Sequence, residues 1–321
     1  MRRRTFGVRR RTVAPPVQQH HFSVPAPARD SFDSALRRLA ANDVEELDLS
    51  HALGEHSGGP APGIPPPPPP EVIQDDGGEG DTAATALAAA LRANRSLAKL
   101  SLRGNAVGAA GATALAGALR PLGPNSTLAE LDLHGNAVGT AGVKALCEVV
   151  ARSTALRALD LGGNRLGQEA GVEDLGGAMH ALYDAMKASP ALASLRLGGN
   201  FLGAEAAEFV GNGMAEADGT LTDLDLCSNA LTNAGALHLC GTMRRCYSLL
   251  HLRLARNHIT CQGAIMLAGG VAHRGCALRT LDLDFNAIAD RGAQVRSSPL
   301  LATDDYNGVL AFSLFHCFLA N

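Results

Sequence analysis

The chain has 321 residues, 46% of them hydrophobic, yet it contains no Trp, only 4% aromatics and 36 Gly. Such a composition excludes a core built on large aromatic side chains and points to a thin, repetitive one in which small residues let backbones approach closely. The formal net charge of −3 excludes whole-molecule attraction to nucleic acid or an anionic membrane, and no apolar run approaches the roughly 18 residues of a spanning helix.

Residues 1–30 form an Arg-rich arm, with seven Arg and no acid in the first 29 positions. It lacks an apolar h-region, so a secretory signal is not expected. We read it as a disordered tail. A nuclear-import or nucleic-acid-binding arm and a mitochondrial transit peptide are the alternatives, although Pro15 and Pro16 would interrupt the helix of the last. A degraded first unit begins at Val44, with Leu47 and Leu49 in place but no Asn. A Pro/Gly/acid-rich insertion follows at about 54–80, and its run Pro65–Pro70 forms a polyproline II rod. It is read as a solvated loop, the alternative being a docking peptide for a proline-recognising domain of SH3, WW or profilin-like type. Helical patterning resumes at Asp81, the expected N-cap.

From Leu97 one pattern recurs: Leu-x-x-Leu-x-Leu-x-x-Asn-x-(Leu/Val/Ile). It stands in full at Leu97–Val107, Leu128–Val138, Leu156–Leu166, Leu192–Leu202, Leu221–Leu231, Leu249–Ile259 and Leu278–Ile288, with starts 31, 28, 36, 29, 28 and 29 residues apart. Five fixed positions at so steady a period do not recur by chance. Leu-x-Leu makes a short parallel strand with both leucines facing the core. The Asn turns the chain out of the strand and bonds backbone groups left unpaired there. Asn105, Asn136, Asn164, Asn200, Asn229, Asn257 and Asn286 are therefore expected to stack as a buried structural ladder. Between them, segments such as Gly111–Leu119 and Gly142–Cys147 place small and apolar residues on one helical stripe. The interval before Leu192 is about eight residues long in excess, roughly two helical turns, so Gly171–Ala188 is expected to protrude. The pattern restarts at Asp290 but loses its leucines by Ser297, where the repeat domain, residues 31–296, is expected to end. The tail 297–321, apolar from Leu300, either covers the open edge of the last unit or marks a truncated sequence.

The fold class is α/β: a right-handed solenoid with a parallel sheet on its concave face and helices on its convex face. Units such as Leu128-Ala-Glu-Leu-Asp-Leu-His-Gly-Asn-Ala-Val-Gly139, followed by Gly142-Val-Lys-Ala-Leu146, resemble the repeats of ribonuclease inhibitor, of NOD-like receptors and of the Ran GTPase-activating protein. The resemblance covers Val44–Ala293 and implies a leucine-rich repeat horseshoe of the ribonuclease-inhibitor-like type. It implies no single function, since those relatives inhibit a nuclease, sense ligands or activate a GTPase. The Ran activator's Phe-Thr-Gly-Arg segment and acidic tail have no counterpart here. Ribonuclease inhibitor is rich in Cys and Trp, and a nucleotide-binding domain would not fit into the first 43 residues. We therefore expect an adaptor, scaffold or complex subunit in the cytoplasm, nucleus and mitochondrion being the alternatives. A small-GTPase regulator or an enzyme inhibitor is the alternative function.

Register specifies the concave face. Between the core leucines the series reads Asp48, Ser101, Asp132, Asp160, Arg196, Asp225, Arg253, Asp282; two positions earlier it reads Glu46, Lys99, Glu130, Ala158, Ser194, Asp223, His251, Thr280. An Asp223–His251 pair is expected in the second. Beyond the second Leu come Arg103, His134, Gly162, Gly198, Cys227, Ala255 and Asp284, the glycines leaving a bare floor. Arg103, Glu130, Asp132, His134, Asp160, Arg196, Asp225, Arg253 and Asp282 are the candidate partner-binding residues. Mutual neutralisation of the ladders is the alternative.

Catalysis is not expected: no Walker loop, His-Glu-x-x-His helix or nucleophile elbow is present. The seven Cys show no CxxC spacing, so no metal, cofactor or disulfide framework is expected. Cys147 and Cys240 fall on helices as inert core residues, which leaves Cys227 as the thiol to test. Asn94 and Asn125 match the glycosylation pattern but are discounted without a signal peptide.

Overall fold

The protein is described here by a computed structural model covering residues 32–52, 78–119, 127–167, 174–217, 219–274, 276–288 and 311–312. The Arg-rich arm, Pro65–Pro70 and most of the C-terminal tail lie outside these residues.

Each unit contributes a three-residue strand: β1 (Glu46–Asp48), β2 (Lys99–Ser101), β3 (Glu130–Asp132), β4 (Ala158–Asp160), β5 (Ser194–Arg196), β6 (Asp223–Asp225), β7 (His251–Arg253) and β8 (Thr280–Asp282). All pair in parallel and in chain order, with equal motif positions opposite one another, so Leu47, Leu100, Leu131 and Leu159 form one row. The central Leu of every strand is buried and its two neighbours face away, as a pleat of period two requires. The degraded unit at Val44 is a true member of the sheet. The sheet also continues past Ile288, because β9 (Ala311–Phe312) pairs in parallel with β8. Strand pairing uses backbone groups and does not need the Leu-x-Leu signature. The sheet is open, not closed into a barrel.

The first helix, α1 (Phe32–Ala41), precedes β1. The others are α2 (Glu79–Leu91), α3 (Ala109–Ala118), α4 (Gly139–Val150), α5 (Leu175–Ala188), α6 (Gly203–Glu216), α7 (Thr232–Met243) and α8 (Cys261–Val271), each packed on its sequence neighbours. Leucines from strand and turn, such as Leu100 and Leu102, meet helix leucines such as Leu115 in one continuous core. No single unit could bury these faces alone.

Two expectations are corrected. Of the segment expected to protrude, the described part from Asp174 does not: α5 packs between α4 and α6 and buries Ala178, Met179, Leu182, Ala185 and Met186. The other helices from α3 onward start nine or ten residues after their strands, whereas α5 starts 17 after β4 (175 − 158). The surplus thus precedes the helix, because the apolar stripe anchors the helix in line. Asp81 does not cap its own helix either, since α2 begins at Glu79. Its Oδ1 instead accepts from Gly108 N–H (2.7 Å) and Gly111 N–H (2.9 Å), capping the next helix, α3. Asn233 of α7 does the same for α8, accepting from Thr260 N–H (2.9 Å) and Gly263 N–H (3.2 Å). Orphan N–H groups at those helix starts are satisfied from the neighbouring repeat.

Candidate functional site

The Asn turns fix the geometry of everything around them. Asn164 donates to Leu161 O in its own turn (2.9 Å) and to Leu133 O of the preceding repeat (3.0 Å). Its carbonyl oxygen accepts from Val138 N–H at 3.1 Å. Asn136, Asn200, Asn229, Asn257 and Asn286 make the same two donations, and Asn105 reaches back to Leu49 O at 2.8 Å. Six of the seven are buried; Asn286 is half-buried at the end of the series. These amides clamp adjacent turns together and are spent on the backbone.

Several concave-face acids have a similar local task, which the charge pattern did not reveal. One oxygen of Asp132, Asp160, Asp225 and Asp282 accepts the N–H two residues on, from His134 (2.8 Å), Gly162 (2.9 Å), Cys227 (2.9 Å) and Asp284 (2.9 Å). These are Asx-type turns that close the strand end. The recurring Asp-Leu-x-x-Asn signature could have disclosed them. Glu130, Arg196 and Arg253 have no such role and stand with about half their side-chain surface exposed (53%, 54% and 45%). Arg103 is also exposed.

The alternating charges pair two by two. Arg196 lies 3.5 Å from Asp160 and Arg253 3.8 Å from Asp225, while Lys99 sits between Glu46 (3.1 Å) and Glu130 (3.6 Å). Those acids raise the Lys99 ammonium above its ordinary range, Glu46 foremost through its hydrogen bond. The Asp223–His251 pair does not form. His251 Nδ1 meets Thr280 Oγ1 at 2.7 Å, and Asp223 accepts from the adjacent Thr222 hydroxyl. A parallel strand offers its neighbour on either side, and here the hydroxyl side wins.

The bare floor at Gly162 is likewise filled. The His134 ring lies where a Cβ of Gly162 would be, 2.5 Å from Nδ1, and approaches Asp160 at 3.5 Å. At Cys227 burial first, and then the Asp225 carboxylate, push the thiol up to about 12, the opposite of the lowered range of an activated thiolate. Cys147, wholly buried, is pushed as high by desolvation. Asn94 is buried and bonds Leu39 O and Ser96, so it offers no acceptor for a glycan; Asn125 lies outside the described residues.

The strand face deepens across β1–β5 into a depression of about 470 Å³. Five acids line it, Glu46, Asp48, Glu130, Asp132 and Asp160, against three bases, Arg38 of α1, Lys99 and Arg196. Beyond β5 the face carries alternating charge, and its turn edge is different in kind. The residue before each Asn is left-handed throughout. It is Gly104, Gly135, Gly163 and Gly199 in the earlier units but Ser228, Arg256 and Phe285 in the last three. There the Arg256 guanidinium stacks 4.7 Å from the centre of the exposed Phe285 ring. Among the described residues no cluster of three or more His, Cys, Asp or Glu could hold a metal, and no helix is long and apolar enough to cross a membrane.

A family model described as Leucine Rich repeat matches residues 93–116, 125–147, 245–268 and 276–295. The units between them, β4 to β6, keep the same strand register. No curated protein matches the chain in sequence. Among solved structures, the chain is similar to leiomodin-1 actin-binding site 2, with 18% identity and a TM-score of 0.42 over 59% of this chain and 91% of that one.

Proposed function

Because the chain is a leucine-rich repeat protein, we propose that it is a non-catalytic protein-binding module whose strand face holds the partner. One observation carries this reading. The strands present in-register polar side chains over an open depression, and Glu130 and Arg196 within it and Arg253 beyond it close no strand-end turn and stand about half exposed, each in a solvent-facing ion pair. A rigid sheet fixes the backbone beneath these groups in advance, so only side-chain ordering opposes binding. Acids and bases side by side select a partner of mixed charge and fix its register.

Capture of partners by the tagged chain tests this. Glu130→Lys combined with Arg196→Glu is expected to abolish the capture, and Glu208→Lys on the exposed helix face is expected to leave it intact. Equal capture by all three forms would overturn the assignment to the strand face.

A further inference from the structure

We propose that the β1–β4 part of the depression is a seat for an extended arginine-rich segment, and that its occupant is the arm of this same chain, residues 2–11. The inference rests on the strand face being a binding surface, and it names what competes there.

Three observations converge. The first is charge. The depression is lined by five acids and three bases, and two of the bases, Lys99 and Arg196, are already engaged by acids within it. The surplus is negative. Asp132 spends one oxygen on the His134 N–H, and no base among the described residues pairs with it. Arg2, Arg3, Arg4, Arg9, Arg10 and Arg11 form two triplets with no acid before Asp30, an opposite charge of high density. Guanidinium forks suit paired carboxylates on neighbouring strands.

The second is position. The arm leads directly into α1, and Arg38 of α1 lines the depression. The tether therefore joins α1 at Phe32, about 9 Å along the helix from a residue that lines the seat.

The third is reach. About 20 residues separate the second Arg triplet from Phe32, a coil spanning roughly 25 Å by chain statistics. Three strand spacings, β1 to β4, cover only about 15 Å. A tether of this length holds the arm at an effective concentration on the order of millimolar, so even a weak contact stays occupied.

The test uses the full chain with the photo-crosslinker p-benzoylphenylalanine in place of Phe6. The expected result is intramolecular crosslinks to peptides carrying 99–101, 130–132 or 158–160. They should be lost in 1 M salt, where the screening length is about 3 Å, and lost in Glu46→Lys/Glu130→Lys. They should also be lost when Arg2, Arg3, Arg4, Arg9, Arg10 and Arg11 are all changed to Gln, which keeps the tether but removes the charge. Crosslinks that persist in the Gln variant report mere proximity and overturn the proposal. So do crosslinks confined to the helix side, or found only between two copies. Failure here with partner capture still lost in Glu130→Lys/Arg196→Glu would remove the arm from the seat while leaving the strand face as the binding surface. Success here with capture unchanged would do the reverse.

Discussion

Strands β1–β4 and strands β5–β8 share one core and carry different surfaces. Across β1–β4 the face is most of a depression with surplus negative charge, and at the left-handed position of the turn edge His51 is followed by Gly104, Gly135 and Gly163. Across β5–β8 the charges alternate as Arg196, Asp225, Arg253 and Asp282, and the same edge bears Gly199 followed by Ser228, Arg256 and an exposed Phe285. The repeat is strict where turn stacks on turn and free where it meets solvent.

The shared core gives the largest predicted effect. Asn164→Ala at the junction of the halves removes two donations and an acceptance from fully buried backbone, which should cost roughly 3 kcal/mol. Asn286→Ala, half-buried at the end, should cost about 1 kcal/mol, since water can take over its bonds. Denaturant melts of the two variants measure the gap, and equal losses would break the ladder account.

A smaller effect separates the turn edges. Gly163→Ala places a Cβ on a backbone at φ +65°, 3.3–3.4 Å from Gly135, and should lose about 1–2 kcal/mol. Phe285→Gly should be close to neutral, because relief at φ 56° offsets the lost contact with Arg256, worth about 0.5–1 kcal/mol. Thermal melts of both decide whether the two edges differ as described.

Smallest of all is the reactivity of Cys227. With its thiol pushed up to about 12, the thiolate fraction at pH 8 should be about a thousandfold below that of an ordinary thiol. Alkylation in the folded protein should therefore be slow at pH 8 and accelerate about tenfold per pH unit above it. Fast labelling at neutral pH would show that the thiol is not desolvated as placed.

The sheet was legible in the sequence because Leu-x-Leu and Asn act through short-range geometry: period two for the strand, a polar amide for the turn. β1 could be read from Leu47 and Leu49 even without its Asn. Less legible was anything decided between repeats. Asp81 looks like a cap for its own helix and caps the next, because only stacking brings Gly108 and Gly111 to its carboxylate. His251 turned to Thr280 and not Asp223, a choice between two equidistant neighbours that one-dimensional spacing leaves open. The aspartates on the face looked like a charge ladder, and four of them prove to be half-committed to strand-end turns. That leaves Glu130, Arg196 and Arg253 as the sharper candidates. α5 shows the same limit: eight surplus residues were countable, while their place before the helix followed from Met179, Leu182 and Met186 being buried in line.

The most direct test of the strand face as the binding surface is a titration of a captured partner against three forms of the chain. Wild type and Glu208→Lys should bind alike, and Glu130→Lys/Arg196→Glu should bind at least about tenfold more weakly, a difference of about 1.4 kcal/mol. Undiminished affinity in the strand-face variant, with its fold intact, would contradict the account.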